Sequence, residues 1–165
     1  MGRRLDIVYL IFFIIHLPIM FVVDLTPFYP DSIKPAFMTS LRSYYVTTYR
    51  DQFFIAPPAW FTTYLYMELL YHVPLTLYAI RALWSAPLQP KAMLHLLLFS
   101  AQAGLTTLTC IAEALSWDRN LEEQGRLMGL YVPYVAFAVL MGVDMFGRLS
   151  GVVGGAVGGE GKKRV

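Results

Sequence analysis

Residues 5–23 read LDIVYLIFFIIHLPIMFVV, a nineteen-residue apolar run in which Asp6, His16 and Pro18 are the exceptions. A helix rises about 1.5 Å per residue, so a run of this length covers roughly the 30 Å of bilayer hydrocarbon. Inside lipid the backbone polar groups have only one another to bond, which selects a helix. The run also lacks the period-2 alternation of a barrel strand. Three further runs share its character: 59–83, 92–115 and 127–149. The expectation is an all-α, polytopic four-transmembrane-helix bundle spanning residues 1–150. A flexible Gly-rich tail is expected over 151–165.

Composition points the same way. Hydrophobic residues make up 57% of the 165 and charged residues only 15%, too few to cover a soluble surface of this size. Much of the aromatic content lies at the ends of the apolar runs, where Trp and Tyr favour the headgroup region. A net charge of +2 argues against a nucleic-acid-binding surface. Cys110 is the sole cysteine, which excludes an internal disulfide and a multi-cysteine metal site. Arg3 and Arg4 precede the first run and no small-residue cleavage site follows it, so it is expected to remain as a signal anchor.

The connections differ in kind. The segment 24–58 carries Pro27, Pro30, Pro35, Pro57 and Pro58. Its middle, 33–49, mixes aromatic and apolar residues with Lys34 and Arg42, as in an amphipathic helix lying on the membrane or over the bundle mouth. The connection 85–91 holds Pro87 and Pro90 and reads as a tight turn, and 117–126 as a short charged loop. Four spans place both termini beside the 85–91 turn. That side holds Arg3, Arg4, Arg81, Lys91, Arg148, Lys162, Lys163 and Arg164, against Lys34, Arg42, Arg50, Arg119 and Arg126 opposite. Such a bias predicts cytoplasmic termini.

Of the carboxylates within or beside the apolar runs, Asp24 and Glu68 are the candidate ligand groups. Glu68 lies in WFTTYLYMELLYHVP, residues 60–74, about 13 Å below the start of its span. A carboxylate there costs several kcal/mol unless it is protonated, paired or hydrated, so it marks either a ligand site or a polar contact between helices. Asp24 closes the first span, either as the start of a loop or as a partner of Glu68. Antiparallel helices bring the two to neighbouring depths. Carboxylates sharing a low-dielectric space are expected to share a proton, which suits a ligand bearing a hydroxyl or an amine.

His16 and His72 lie deeper, each two residues before a proline, and Glu68 and His72 share a helical face at i, i+4. They read as a proton relay or as buried hydrogen-bonded histidines. Two histidines and two acids scattered over two helices fall short of a metal site, and neither metal nor cofactor is expected. Pro18, Pro74 and Pro133 loosen three spans and make room for a cavity. Gln102, Thr106, Thr107 and Thr109 give the third span a mildly polar face suited to interhelical bonds. Tyr131 and Tyr134 flank Pro133 as aromatic walls or as part of an interfacial belt.

Together, Pro57-Pro58-Ala59-Trp60-Phe61 leading into Glu68 and Pro74, His16-x-Pro18 followed by Asp24-Leu25, and Tyr131-x-Pro133-Tyr134 resemble the sigma-2 receptor family. That family is the four-helix branch of the EXPERA-domain membrane proteins, and the resemblance is to its fungal-type members. It implies a protein of the endoplasmic reticulum membrane that takes part in sterol and lipid homeostasis, or in handling mitochondrial precursors at the reticulum surface. It implies a homodimer that binds an oxysterol or a lipophilic amine in a membrane-facing pocket. The ligand-binding carboxylates of the family map onto Asp24 and Glu68, the acidic residue of its long loop onto Asp51, and its pocket tyrosine onto Tyr134. Lys162 and Lys163 resemble a dilysine retrieval signal, in keeping with a cytoplasmic C-terminus. The wider group includes a sterol isomerase, for which Asp24, Glu68 and His72 would supply an acid and a base. Those isomerases place a histidine one turn before a glutamate, whereas here Glu68 comes first, so binding is favoured over catalysis. Proton-coupled transport is disfavoured by the lack of an internal repeat.

Overall fold

The computed structural model describes residues 2–85 and 87–161, and those residues form helices and turns with no strand among them. Helix α1 runs Gly2–Ile19 and continues as a π turn, Met20–Asp24, closed by Leu25 N–H donating to Met20 O at 2.9 Å. A short 3₁₀ turn, Thr26–Phe28, leads to α2, Ala36–Tyr49, and α3, Gln52–Ile55. Helix α4, Ala59–Met67, passes through a second π turn, Glu68–His72, into α5, Val73–Trp84. Helices α6, Pro90–Leu115, and α7, Leu121–Gly161, complete the chain.

Among the described residues, three helices are long and apolar enough to cross a membrane: Arg3–Asp24, Pro90–Leu115 and Leu121–Gly155. The expected second span, 59–83, folds as the helical run α4, π turn and α5, but it is not among the three. Glu68, His72 and its tyrosines dilute its hydropathy. It is nevertheless long enough, since 26 residues rise about 39 Å. The amphipathic segment forms as α2, starting at Ala36 after Pro35. Helix α7 begins inside the expected charged loop because Asn120 Oδ1 caps it, accepting from Glu123 N–H at 2.8 Å. It then runs on to Gly161, so the stretch expected to be a flexible tail from Gly151 is helical over its described part. A helix already nucleated extends by one bond per residue, and glycine weakens it without ending it. Lys162 and Lys163 lie outside the described residues.

Helix α1 packs along α5, and α6 along α7. Their shared core holds Tyr9 and Phe13 from α1, Leu75 and Ala79 from α5, Leu96 and Phe99 from α6, and Met141 and Met145 from α7. Lipid tails are as apolar as leucine, so helices in a bilayer are held by close packing and polar contacts rather than by expulsion of water. The α6–α7 seam meets that need with small residues. A Cβ added at Gly142 would stand 3.0 Å from Ser100 Oγ, tighter than ordinary contact. Large apolar side chains such as Ile11, Ile15, Leu105 and Val143 point outward, as lipid-facing positions do.

The end of the bundle bearing residues 85 and 87–90 is closed by polar contacts. Arg3 Nη1 donates to Leu83 O at 3.0 Å, capping the C-terminus of α5. Arg148 Nη1 donates to Asp6 Oδ1 at 2.6 Å, Arg148 Nη2 lies 2.7 Å from Asp144 Oδ2, and Tyr9 OH donates to Asp144 Oδ2 at 3.0 Å. This buried cluster ties α1 to α7. Aromatic stacking continues the tie, with the Phe12 and Phe137 rings 4.2 Å apart.

Candidate functional site

Both carboxylates singled out from the apolar runs stand on the π turns. Asp24 ends the first and Glu68 begins the second, whose ring is closed by Val73 N–H donating to Glu68 O. A π turn inserts one extra residue, shifts the helical face that follows, and frees carbonyls from the regular ladder; such turns are frequent at functional sites. The second also has a local cause. The Pro74 ring would clash with the carbonyl four residues back, Leu70, and widening the helix over 68–72 relieves that. The first lies just past Pro18, and Thr26 Oγ1 takes up the carbonyl of Val22 at 2.8 Å.

These turns bring five of the expected residues together. Asp24 and Glu68 are half-buried and within electrostatic reach of each other, and Tyr134 on α7 is within reach of both. The Tyr134 hydroxyl lies 3.4 Å from His16 Nε2, and His16 stacks on Phe12 with ring centres 5.1 Å apart. His72 is buried, 4.8 Å from Phe99 ring to ring, within reach of His16 and facing Gln102. Among the described residues no hydrogen bond or ion pair engages the carboxylate of Asp24 or of Glu68. The described residues hold no group of three or more His, Cys, Asp or Glu placed to bind a metal ion.

Asp51 and Tyr131 stand beside this group, Asp51 within electrostatic reach of Asp24, and are bonded to each other. Asp51 is fully buried as the N-cap of α3, accepting from Phe53 N–H at 3.0 Å, Tyr45 OH at 2.9 Å and Tyr131 OH at 2.6 Å. Burial first, and then the charge of Asp51, pushes the Tyr45 phenol far above its ordinary value, so it stays a neutral donor. With three donors on its two oxygens, Asp51 acts here as a clasp joining α2, α3 and α7.

Arg42 is the residue that sequence reasoning missed. It reaches into a cavity of about 120 Å³ that it lines together with Asp24 and Thr62. Its guanidinium donates to Phe54 O at 3.2 Å and to Val23 O at 3.5 Å and lies 4.7 Å over the Phe54 ring. Asp24 and Asp51 are both within its electrostatic reach, but burial outweighs them and holds its pKa below the ordinary arginine value. The available signal was helical spacing: Arg42 follows the buried Met38 by one turn and so belongs to the inward face of α2. A larger, open cavity of about 420 Å³ lies near Trp117. Its arginines are engaged locally, Arg50 with Glu123 at 2.8 Å and Arg119 with the carbonyls of Tyr49 and Arg50.

Residues 37–145 match the family described as EXPERA (EXPanded EBP superfamily). The chain is 29% identical to the Schizosaccharomyces pombe protein named Efficient mitochondria targeting-associated protein 19, over 88% of this chain and 77% of that one. It is 25% identical to Sigma intracellular receptor 2 of Xenopus tropicalis, covering 87% and 89% of the two chains. A Saccharomyces cerevisiae protein of the same name as the first is 24% identical, over 81% of this chain and 92% of its own. The matched segment begins within α2 and ends within α7, so it includes Glu68, Asp51 and Tyr134 but not Asp24 or His16.

Proposed function

The chain belongs to the EXPERA (EXPanded EBP superfamily) family, and from that premise we propose that it binds a sterol, an oxysterol or another lipophilic molecule with one polar group, in a pocket inside the membrane. The observation that carries this is the proximity of Asp24, Glu68 and Tyr134, with His16 beside the Tyr134 hydroxyl and both carboxylates free of protein donors among the described residues. Carboxylates held in an apolar run without donors are costly, so a ligand is the natural partner. The likeness to a protein named as a sigma intracellular receptor supports a binding role. The proposal includes a fourth crossing by residues 59–84, cytoplasmic termini, residence in the endoplasmic reticulum membrane, and a homodimer. The test is saturable binding of a radiolabelled hydroxysterol and of a cationic amphiphile to purified protein. Asp24→Asn or Glu68→Gln lowers affinity about tenfold or more for at least one ligand while the melting curve is retained. Unchanged affinity for both ligands in both variants defeats the site assignment.

A second reading comes from the name of the two fungal relatives, which speaks of efficient mitochondria targeting. By this reading the same membrane protein assists the delivery of mitochondrial proteins. Deleting the gene then slows import of a pulse-labelled precursor, and import at the normal rate removes it. Isomerase-type proton transfer through Asp24, Glu68 and His72 is the enzymatic alternative. It requires turnover of a Δ8-sterol by folded protein.

A further inference from the structure

Arg42 gives the Asp24 side of the pocket a charge of its own. Helix α2 lies across the end of α1, and the guanidinium is fixed from two directions: by Phe54 O at 3.2 Å, and by Val23 O at 3.5 Å, the carbonyl adjoining Asp24. The Phe54 ring supports it from one side at 4.7 Å. Arg42 and Asp24 line one cavity of about 120 Å³. Among the described residues they form no ion pair within 4.0 Å, although each lies within electrostatic reach of the other. They therefore face one another across a gap. Asp51, the other acid near Arg42, already accepts from Tyr45, Tyr131 and Phe53 N–H.

The chemistry of the gap is selective. A guanidinium offers five N–H donors and no acceptor, and two of those donors are used here. An ionised carboxylate only accepts. A group that bridges them must accept from Arg42 and donate to Asp24. A hydroxyl does both. An ammonium only donates, and it brings a second positive charge into a cavity that the Arg42 guanidinium already lines. The cavity of about 120 Å³ has room for a hydroxyl and its first ring atoms.

We infer that Arg42 is the specificity-determining residue of this pocket, making it a site for a neutral, hydroxyl-bearing lipid in preference to a cationic amphiphile. The inference rests on the proposed role of Asp24 in ligand binding and narrows the ligand class. Selectivity here comes from a repulsive element as much as from an attractive one.

The experiment uses full-length protein in lipid nanodiscs and two probes with one ring skeleton, a 3β-hydroxysterol and the matching 3β-aminosterol. Wild type is expected to bind the hydroxysterol about tenfold more tightly than the amine. Arg42→Gln is expected to abolish or invert that ratio, and Arg42→Lys to keep its direction. The ratio is read on one preparation, so partial unfolding cancels. Arg42→Met repeats the test should the glutamine variant not fold, and the wild-type ratio stands as a test whichever variants fold. A wild-type preference for the amine overturns the inference. So does a ratio that Arg42→Gln or Arg42→Met leaves unchanged. Failure of both probes to bind wild type saturably overturns the pocket reading and this inference together.

Discussion

Each end of the bundle holds a pair of carboxylates, and the two pairs are treated in opposite ways. At the end bearing residues 85 and 87–90, Asp6 and Asp144 are bridged by Arg148, and Tyr9 donates to Asp144. At the α2 end, Asp24 and Glu68 face each other with no donor on either carboxylate among the described residues. The first pair is compensated wholly within the protein and joins α1 to α7. The second receives no donor from the described residues, with Arg42 near but not in contact. The difference teaches that buried acids are not functional merely because they are buried. What separates a clasp from a site is whether the fold supplies the donors.

Substitutions at the two ends should break or sharpen that contrast. The largest effect is expected at Arg148→Met, which leaves Asp6 and Asp144 facing each other unpaired. Losing one partner of a buried ionic network costs about 3 kcal/mol or more. Thermal melting in detergent should show a clear drop, partly restored by adding Asp144→Asn; a wild-type melt for Arg148→Met would mean the cluster is not a clasp. A middle effect is expected at Asp51→Ala. It strips the acceptor from the buried phenols of Tyr45 and Tyr131 and should destabilise by about 2 kcal/mol, read by the same melt. If Asp51 instead acts mainly on ligand, stability holds and only affinity falls. The smallest effect on stability is expected for Asp24→Asn combined with Glu68→Gln, within about 0.5 kcal/mol of wild type or more stable, because no native bond is lost and a buried repulsion is removed. A large loss of stability in that double variant would turn the second pair into another clasp and end the comparison.

Much of the architecture was legible residue by residue. The run 5–23 specified a spanning helix because lipid leaves the backbone no other way to satisfy itself. Glu68 and Asp24 stood out because charge in an apolar run is costly wherever the helices go. Tyr134 and His16 were named and do meet, at 3.4 Å. Other parts were not legible. The bond between Asp51 and Tyr131 was not read from the sequence, since nothing local says which of several tyrosines will find a given acid. The cluster of Asp6, Asp144 and Arg148 was not read from the sequence, because Arg148 meets Asp6 across 142 positions of the chain, although Asp144 and Arg148 are one helical turn apart. The extent of α7 was missed because Asn120 capping and helix propagation outweighed the glycine content.

The sequence by itself determined the solvent and the secondary structure: apolar length sets the number of candidate crossings, and proline and carboxylate positions say where those helices are loosened and charged. Only the tertiary structure decided which charges are compensated. Hydropathy and helical period are properties of one segment, read along the chain. Compensation is a relation between segments, settled by which faces meet when α1 packs on α5 and α6 on α7. That meeting bonds Arg148 to two acids, keeps Arg42 across a gap from one, and leaves Asp24 and Glu68 as the pair the protein does not satisfy by itself.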